Sequence, residues 1–88
     1  MPEQQLVVTN EVGLHARPAA MFVKTAARFP NATIEVVKNG KAANAKSILE
    51  VLTLGVSKGT TITVRAEGEE ADEALRSLVT LIVRNFNE

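Results

Sequence analysis

The chain has 88 residues, and we expect residues 1–88 to form one small domain. It contains no cysteine, which excludes disulfides and thiolate metal sites. Ten basic and ten acidic side chains cancel, and the only aromatic residues are three phenylalanines, a composition that argues against nucleic-acid binding. The sequence has neither a secretory signal pattern nor an apolar run of about 20 residues, so we expect a cytoplasmic protein without membrane insertion.

The charges are unevenly distributed along the chain. Six basic residues lie between Val12 and Leu49, where Glu35 is the only acidic one, and five of the ten acidic residues fall between 67 and 73. Such segregation favours an encounter with an acidic surface of a partner protein.

The first half of the chain predicts a strand, a helix and a hairpin. The strand covers Leu6–Thr9. The helix runs from Ala16 to Arg28 and is stopped by Pro30. Its apolar stripe comprises Ala19, Phe22, Val23, Ala26 and Phe29. The strands Thr33–Lys38 and Lys41–Asn44 flank Asn39-Gly40, a strong hairpin signal.

The second half predicts a short helix, a strand and a last helix. Ser47 and Glu50 match a capping box that opens the short helix, and Gly55 is placed to close it. Thr60–Glu67 alternates as a half-buried strand, with Ile62, Val64 and Ala66 on one face. The acidic run 69–73 suits the positive N-terminal end of the last helix. The buried stripe of this helix comprises Ala71, Leu75, Leu78, Val79, Ile82 and Phe86.

The element order is therefore βαββαβα. Local connections and one hairpin predict a two-layer α+β domain in which helices pack on one face of an antiparallel sheet.

His15 is the only histidine, and it lies where the turn Asn10–Gly13 meets the first helix. The amides of Ala16 and Arg17 have no acceptor inside the helix, so together with the helix dipole they form a site suited to phosphate. Pro18 stiffens the first turn, and the Arg17 guanidinium suits phosphate oxygens. The same positive environment favours a neutral imidazole, which keeps one nitrogen lone pair free to attack phosphorus.

The sequence has no glycine-rich nucleotide loop, no carboxylate cluster for magnesium and no second histidine. We therefore expect neither a cofactor nor a metal, and a domain that could carry a phosphoryl group but has no means to bind ATP. From the residues alone, a lone histidine at a helix start is more often a surface cap without chemistry.

Two motifs resemble those of one family. Gly13–Ala20 resembles the phosphohistidine signature of HPr, the histidine-containing phosphocarrier of the bacterial phosphoenolpyruvate:sugar phosphotransferase system. Lys46–Leu49, followed by Leu52, Leu54 and Gly55, resembles the family's second signature, around its regulatory serine. The resemblance extends over essentially the whole chain.

The resemblance implies an open-faced β-sandwich of four antiparallel strands and three helices. It implies that enzyme I phosphorylates the δ nitrogen of His15, with phosphoenolpyruvate as the ultimate donor. Ala16, Arg17 and Pro18 would form the phosphate site, and the phosphoryl group would pass to a histidine of a sugar-specific enzyme IIA. A monomer is enough for a carrier that meets several partners in turn.

Ser47 has two compatible interpretations. The first is a helix N-cap, worth about 1 kcal/mol of stability. The second, implied by the resemblance, is a regulatory phosphorylation site for HPr kinase/phosphorylase, with a transcriptional regulator as a further partner. A phosphate at a helix N-terminus need not unfold the domain.

The resemblance also implies that partners dock on the first two helices. The expected contacts are Ala20, Lys24, Ala27, Ile48, Leu49 and Leu52. Val51 and Leu54 are expected in the core, whereas a short helix cannot bury all of its large side chains. Lys24, Arg28 and Lys46 are interpreted as solvated charges around this patch.

Three alternatives stay open at this point. The chain could be a purely regulatory module acting through phosphorylated Ser47, an inert domain of the same fold, or a carrier in a nitrogen-regulatory branch. An intact segment His15–Pro18 argues against the purely regulatory module.

Overall fold

The computed structural model describes residues 2–11, 13–84 and 86. Its helices and strands follow the predicted order. They are β1 (Glu3–Val7), α1 (Ala16–Ala26), β2 (Ala32–Lys38), β3 (Lys41–Asn44), α2 (Ile48–Leu54), β4 (Thr61–Gly68) and α3 (Ala71–Val83).

The four strands form one sheet in the order β1-β4-β2-β3, and every neighbouring pair is antiparallel. The β2–β3 hairpin turns at Asn39 and Gly40, which both have positive φ, as the Asn-Gly pair predicts. β4 lies between β1 and β2, so its backbone is paired on both sides. β1 and β3 are the edges.

One face of the sheet carries the core. Ile62, Val64 and Ala66 on β4 are buried, as their alternation predicts, and they lie in register with buried residues of β2 such as Ile34 and Val36. α3 contacts three of the strands, and α1 contacts both other helices. The predicted fold class is confirmed: an α+β, two-layer, open-faced sandwich with its three helices on one face.

The helices present most of the predicted stripes to this core, but Phe86, predicted in the stripe of the last helix, is buried beyond the end of α3 at Val83. Phe22 on α1 and Leu78 on α3 are fully buried, and Ile82 is 1% exposed. Val23, Leu75 and Val79 are only half-buried, because they lie at the margins of their stripes. Among the described residues, no helix is long and apolar enough to cross a membrane.

The predicted ends of several elements were wrong by a few residues. β1 covers Glu3–Val7 rather than Leu6–Thr9, because most side chains of this edge strand are exposed and polar and give no apolar signal. α1 ends at Ala26 rather than Arg28, since the amides of Arg28 and Phe29 bond to carbonyls three residues back and tighten the last turn. β4 is displaced by one residue from Thr60–Glu67, and β2 begins one residue before Thr33.

Candidate functional site

His15 is the N-cap residue of α1, as the sequence predicts. Its backbone is extended (φ −81°, ψ −172°), and its carbonyl accepts the first helical hydrogen bond from the Ala19 amide at 2.8 Å. The imidazole makes no capping hydrogen bond, and the residue is exposed. The ring is therefore accessible and is not needed to hold the helix start.

The backbone before His15 is fixed by contacts with the loop after α2. The Leu14 amide donates to the Val56 carbonyl at 3.0 Å, and the Leu14 side chain is only 2% exposed. Gly13 has φ +59°, and a Cβ there would overlap the Val56 carbonyl oxygen and approach the Ser57 Cα to 2.5 Å. Only glycine fits this position, so the loop holds Leu14 inward and His15 outward.

Asn10 stiffens the same turn from the other side. Its Nδ2 donates to the Gly13 carbonyl at 2.7 Å, and its backbone carbonyl accepts from the Gly13 amide at 3.2 Å. The turn formers at Asn10 and Gly13 gave a sequence signal for this loop. The contact with Val56 gave none, because it joins residues more than 40 positions apart.

The first helical donors remain free beside the imidazole. In the described part of the chain, the amides of Ala16 and Arg17 have no hydrogen-bond acceptor. Pro18 is buried and has no N–H to satisfy, whereas Ala16 and Arg17 are exposed. A nucleophilic ring, two unpaired amides and an exposed guanidinium thus lie within one turn, an arrangement that can receive a phosphoryl group.

Ser47 is the N-cap residue of α2, and here the side chain does the capping. Its Oγ accepts a hydrogen bond from the Glu50 amide at 3.3 Å, and the residue is half-buried. Gly55 closes the helix in the left-handed conformation (φ 71°), as predicted. The predicted capping box forms only in part, because the Glu50 carboxylate accepts from the Asn44 amide at 3.0 Å rather than from the Ser47 amide.

Lys46 is not a solvated charge, and that interpretation was wrong. The residue is half-buried, and its ammonium donates to the carbonyls of Phe29 at 2.7 Å and Ala32 at 2.6 Å. It ties the start of α2 to the loop between α1 and β2. Lys38 makes a similar contact at the other end of α2, donating to the Gly55 carbonyl at 2.7 Å. Both contacts span many residues and have no local sequence signal.

Five of the six predicted docking residues lie on α1 and α2, which contact each other. On α2, Ile48, Leu49 and Leu52 are 41%, 72% and 40% exposed, while Val51 and Leu54 enter the core as predicted. On α1, Ala20 and Lys24 are exposed, and Ala27 is exposed just after the helix. In residues 2–11, 13–84 and 86, no three His, Cys, Asp or Glu side chains are placed so that they could hold a metal ion.

Comparison with known families gives a direct match over this site. The family model described as "PTS HPr component phosphorylation site" matches residues 2–84. The chain belongs to the HPr family. Its relatives are named phosphocarrier protein HPr, so the chain is a phosphocarrier of the phosphotransferase system rather than a catalyst.

Individual HPr proteins agree in sequence and in fold. The phosphocarrier protein HPr of Vibrio cholerae is 52% identical over 82 residues, which cover 93% of this chain and 95% of that protein. The crystal structure of HPr-C-His from Thermoanaerobacter tengcongensis has a TM-score of 0.96 and 46% identity, covering 100% of this chain and 98% of that one. A structure described as an HPr dimer from the same organism has a TM-score of 0.79 and 46% identity, covering 100% of both chains.

Proposed function

We propose that the chain accepts a phosphoryl group on His15 from enzyme I, with phosphoenolpyruvate as the ultimate donor, and passes it to a sugar-specific enzyme IIA. The observation that carries this proposal is the exposed imidazole at the N-cap of α1, which makes no capping bond and lies beside two amides that have no acceptor among the described residues.

The transfer exchanges one bond to phosphorus for another. The lone pair of a neutral His15 nitrogen, which the family resemblance assigns to Nδ1, attacks phosphorus as the bond to its carrier atom on enzyme I breaks. In the second transfer the new P–N bond breaks, and its electron pair returns to the His15 ring as a histidine of enzyme IIA attacks. No water or oxidant takes part in either step.

The groups around His15 are suited to stabilise the negative charge on the oxygens of the transferred phosphoryl group. The amides of Ala16 and Arg17 can donate to phosphate oxygens at the positive end of the α1 dipole. The Arg17 guanidinium is exposed and, in the described part of the chain, has no anionic partner, so it is free to contact the same oxygens. Both features stabilise the transferring group without a metal ion held by this chain.

Partners would dock on the exposed stripe of α1 and the apolar patch of α2. The patch consists of Ile48, Leu49 and Leu52, and the stripe of Ala20, Lys24 and Ala27. An apolar patch next to basic side chains fits a partner surface with an apolar centre and an acidic rim.

The decisive experiment is incubation with phosphoenolpyruvate and purified enzyme I, followed by intact-mass analysis. We expect a gain of one phosphate that is lost in acid, as a P–N bond requires, and that is absent in His15→Ala. Because the imidazole makes no capping bond, His15→Ala should stay folded, and its amide spectrum is the control. A folded His15→Ala variant that still gains the acid-labile phosphate would contradict the proposal, as would a wild type that gains none.

Ser47 supports a second, regulatory function. Its hydroxyl lies at the N-terminus of α2, where a phosphate would meet the positive end of the helix, and it neighbours the docking patch beginning at Ile48. We propose that HPr kinase/phosphorylase modifies Ser47, and that the added charge repels acidic partners and recruits a transcriptional regulator.

Incubation with that kinase and ATP tests the regulatory function. We expect an acid-stable phosphate that is lost in Ser47→Ala and retained in Ser57→Ala, a matched variant whose hydroxyl lies in the exposed loop after α2. Equal labelling of all three proteins would place the modification elsewhere. The first experiment can be repeated with enzyme I of a nitrogen-regulatory branch. Comparing the rates at which the two forms of enzyme I phosphorylate the chain distinguishes that branch from sugar transport.

We further propose a cytoplasmic monomer as the working state, since each transfer brings one partner to the single His15 site. The HPr dimer from T. tengcongensis makes the oligomeric state worth measuring directly. Sedimentation equilibrium over a hundredfold concentration range should give the mass of one chain throughout.

A further inference from the structure

A groove with three arginines lies between α1 and α3. It has a volume of about 440 Å³ and is open to solvent. We call it the arginine groove. Its lining consists of Thr25, Arg28, Arg76, Ser77, Thr80, Leu81 and Arg84.

Within residues 2–11, 13–84 and 86, the three arginines have no acidic partner. In the described part of the chain the ion pairs are Lys58–Glu11 and Arg65–Glu35, and neither involves the groove. Asp72 and Glu73 precede Arg76 by about one helical turn without pairing with it. No carboxylate lines the groove, so its charge is uncompensated within the described residues.

Helix ends explain part of this pattern. Arg84 is the C-cap of α3, and Arg28 follows the C-cap of α1, where the helix dipole favours a cation. Arg76 lies inside α3, and the dipole gives it no such role. Three like charges around one groove repel one another, and a bound anion removes that repulsion. The hydroxyls of Thr25, Ser77 and Thr80 add donors between the guanidinium groups.

We propose that the arginine groove binds an acidic segment of a partner protein through its Asp and Glu side chains. Guanidinium groups form paired hydrogen bonds with carboxylates, and Leu81 offers a small apolar contact. The groove is open, and all three arginines are exposed to water. A single small anion gains little at such a surface, whereas a segment with several carboxylates contacts all three cations at once.

This site is separate from the His15 chemistry. Thr25 lies ten positions after His15, which is about 15 Å along the helix axis. Arg76, Ser77 and Thr80 belong to α3, which contributes none of the proposed docking residues. An acidic segment can therefore occupy the groove while His15 stays accessible, and the proposal stands or falls independently of phosphoryl transfer.

The test uses hexaglutamate as the probe, titrated into ¹⁵N-labelled protein at low salt. We expect the largest shifts at the amides of the groove residues, decreasing as NaCl is raised. The variant Arg76→Gln/Arg84→Gln should bind about fivefold more weakly, since two exposed charge pairs are lost. The matched control Lys41→Gln/Lys58→Gln removes the same net charge elsewhere and should change the Kd less than twofold.

One further variant and one further ligand make the result of the titration easier to interpret. Arg76→Lys/Arg84→Lys retains the charge but loses the paired hydrogen bonds, so it should bind more tightly than the Gln variant and more weakly than wild type, which separates loss of charge from loss of fold. Pyrophosphate is titrated in parallel as a small phosphorylated anion. Equal weakening in both Gln variants, strongest shifts around Arg17 and Lys24, or tighter binding of pyrophosphate than of hexaglutamate at the groove would each overturn the proposal. So would groove shifts that depend on protein concentration without any probe, since the occupant would then be a second copy.

Discussion

The first turns of α1 and α2 are held in place by different parts of the chain, a side chain in α2 and the backbone in α1. At α2 the Ser47 hydroxyl caps the Glu50 amide, so a side chain holds the helix start. At α1 the imidazole of His15 caps nothing, and the backbone of Gly13 and Leu14, pressed against Val56, holds the helix start instead. Holding a helix start by backbone contacts frees both the side chain and the first amides for a ligand.

We expect the largest effect from a substitution that disrupts the backbone contacts at the start of α1. Gly13→Ala should lower the free energy of unfolding by about 3 kcal/mol, because the new Cβ meets the backbone of Val56 and Ser57 at a positive φ. Urea denaturation measures it. Gly40→Ala is the control, since its φ is +79° but nothing lies within 4 Å, and it should lose only about 1 kcal/mol. Equal losses would mean that the contact with Val56 does not matter.

The next largest effect concerns binding of the phosphoryl group at the start of α1. Arg17→Ala should slow phosphorylation by enzyme I about tenfold, as expected for one lost charge-assisted hydrogen bond in the transition state. Its unfolding free energy should change by no more than about 0.5 kcal/mol, because the side chain is exposed. Stopped-flow or quench kinetics measure the rate. A large loss of stability instead would show that Arg17 supports the fold.

A smaller effect tests the side-chain support of α2. Ser47→Ala should cost about 1 kcal/mol of stability, because the Glu50 amide loses its acceptor. Ser47→Asp should recover most of that loss, since a carboxylate is also a good N-cap. Thermal denaturation of the three proteins compares them. If Ser47→Ala were as stable as wild type, the capping bond would contribute nothing.

The smallest effect completes the comparison. His15→Ala should change the free energy of unfolding by less than about 0.5 kcal/mol, since the imidazole is exposed and makes no capping bond. The same thermal denaturation applies. A loss as large as that of Ser47→Ala would show that the ring supports the helix after all, and the contrast between the two helix starts would disappear.

Local sequence signals predicted much of this molecule. The alternation of Ile62, Val64 and Ala66, the turn at Asn39-Gly40 and the cap at Ser47 each depend on neighbours in sequence, and each is confirmed. The position of His15 at the start of α1 depends on local signals too, and it is confirmed.

The features that sequence reasoning missed depend on partners far along the chain. The Lys46 ammonium contacts carbonyls of Phe29 and Ala32, and a lysine in the sequence gives no sign of whether its charge is solvated. Glu50 has the residue type of a capping box, yet its carboxylate bonds to the Asn44 amide, a choice that only the β3–α2 geometry decides. The roles of His15 and Arg17 in phosphoryl transfer, and of Ser47 in regulation, stay predictions.

β1 has a consequence for local opening of the fold. It pairs only with β4, and Leu6 is its one half-buried side chain. Few apolar contacts therefore oppose its detachment, whereas β4 is paired on both flanks and carries Ile62 and Val64 in the core. In deuterated buffer the amides that β1 uses for pairing should exchange well before those by which β4 pairs with β2.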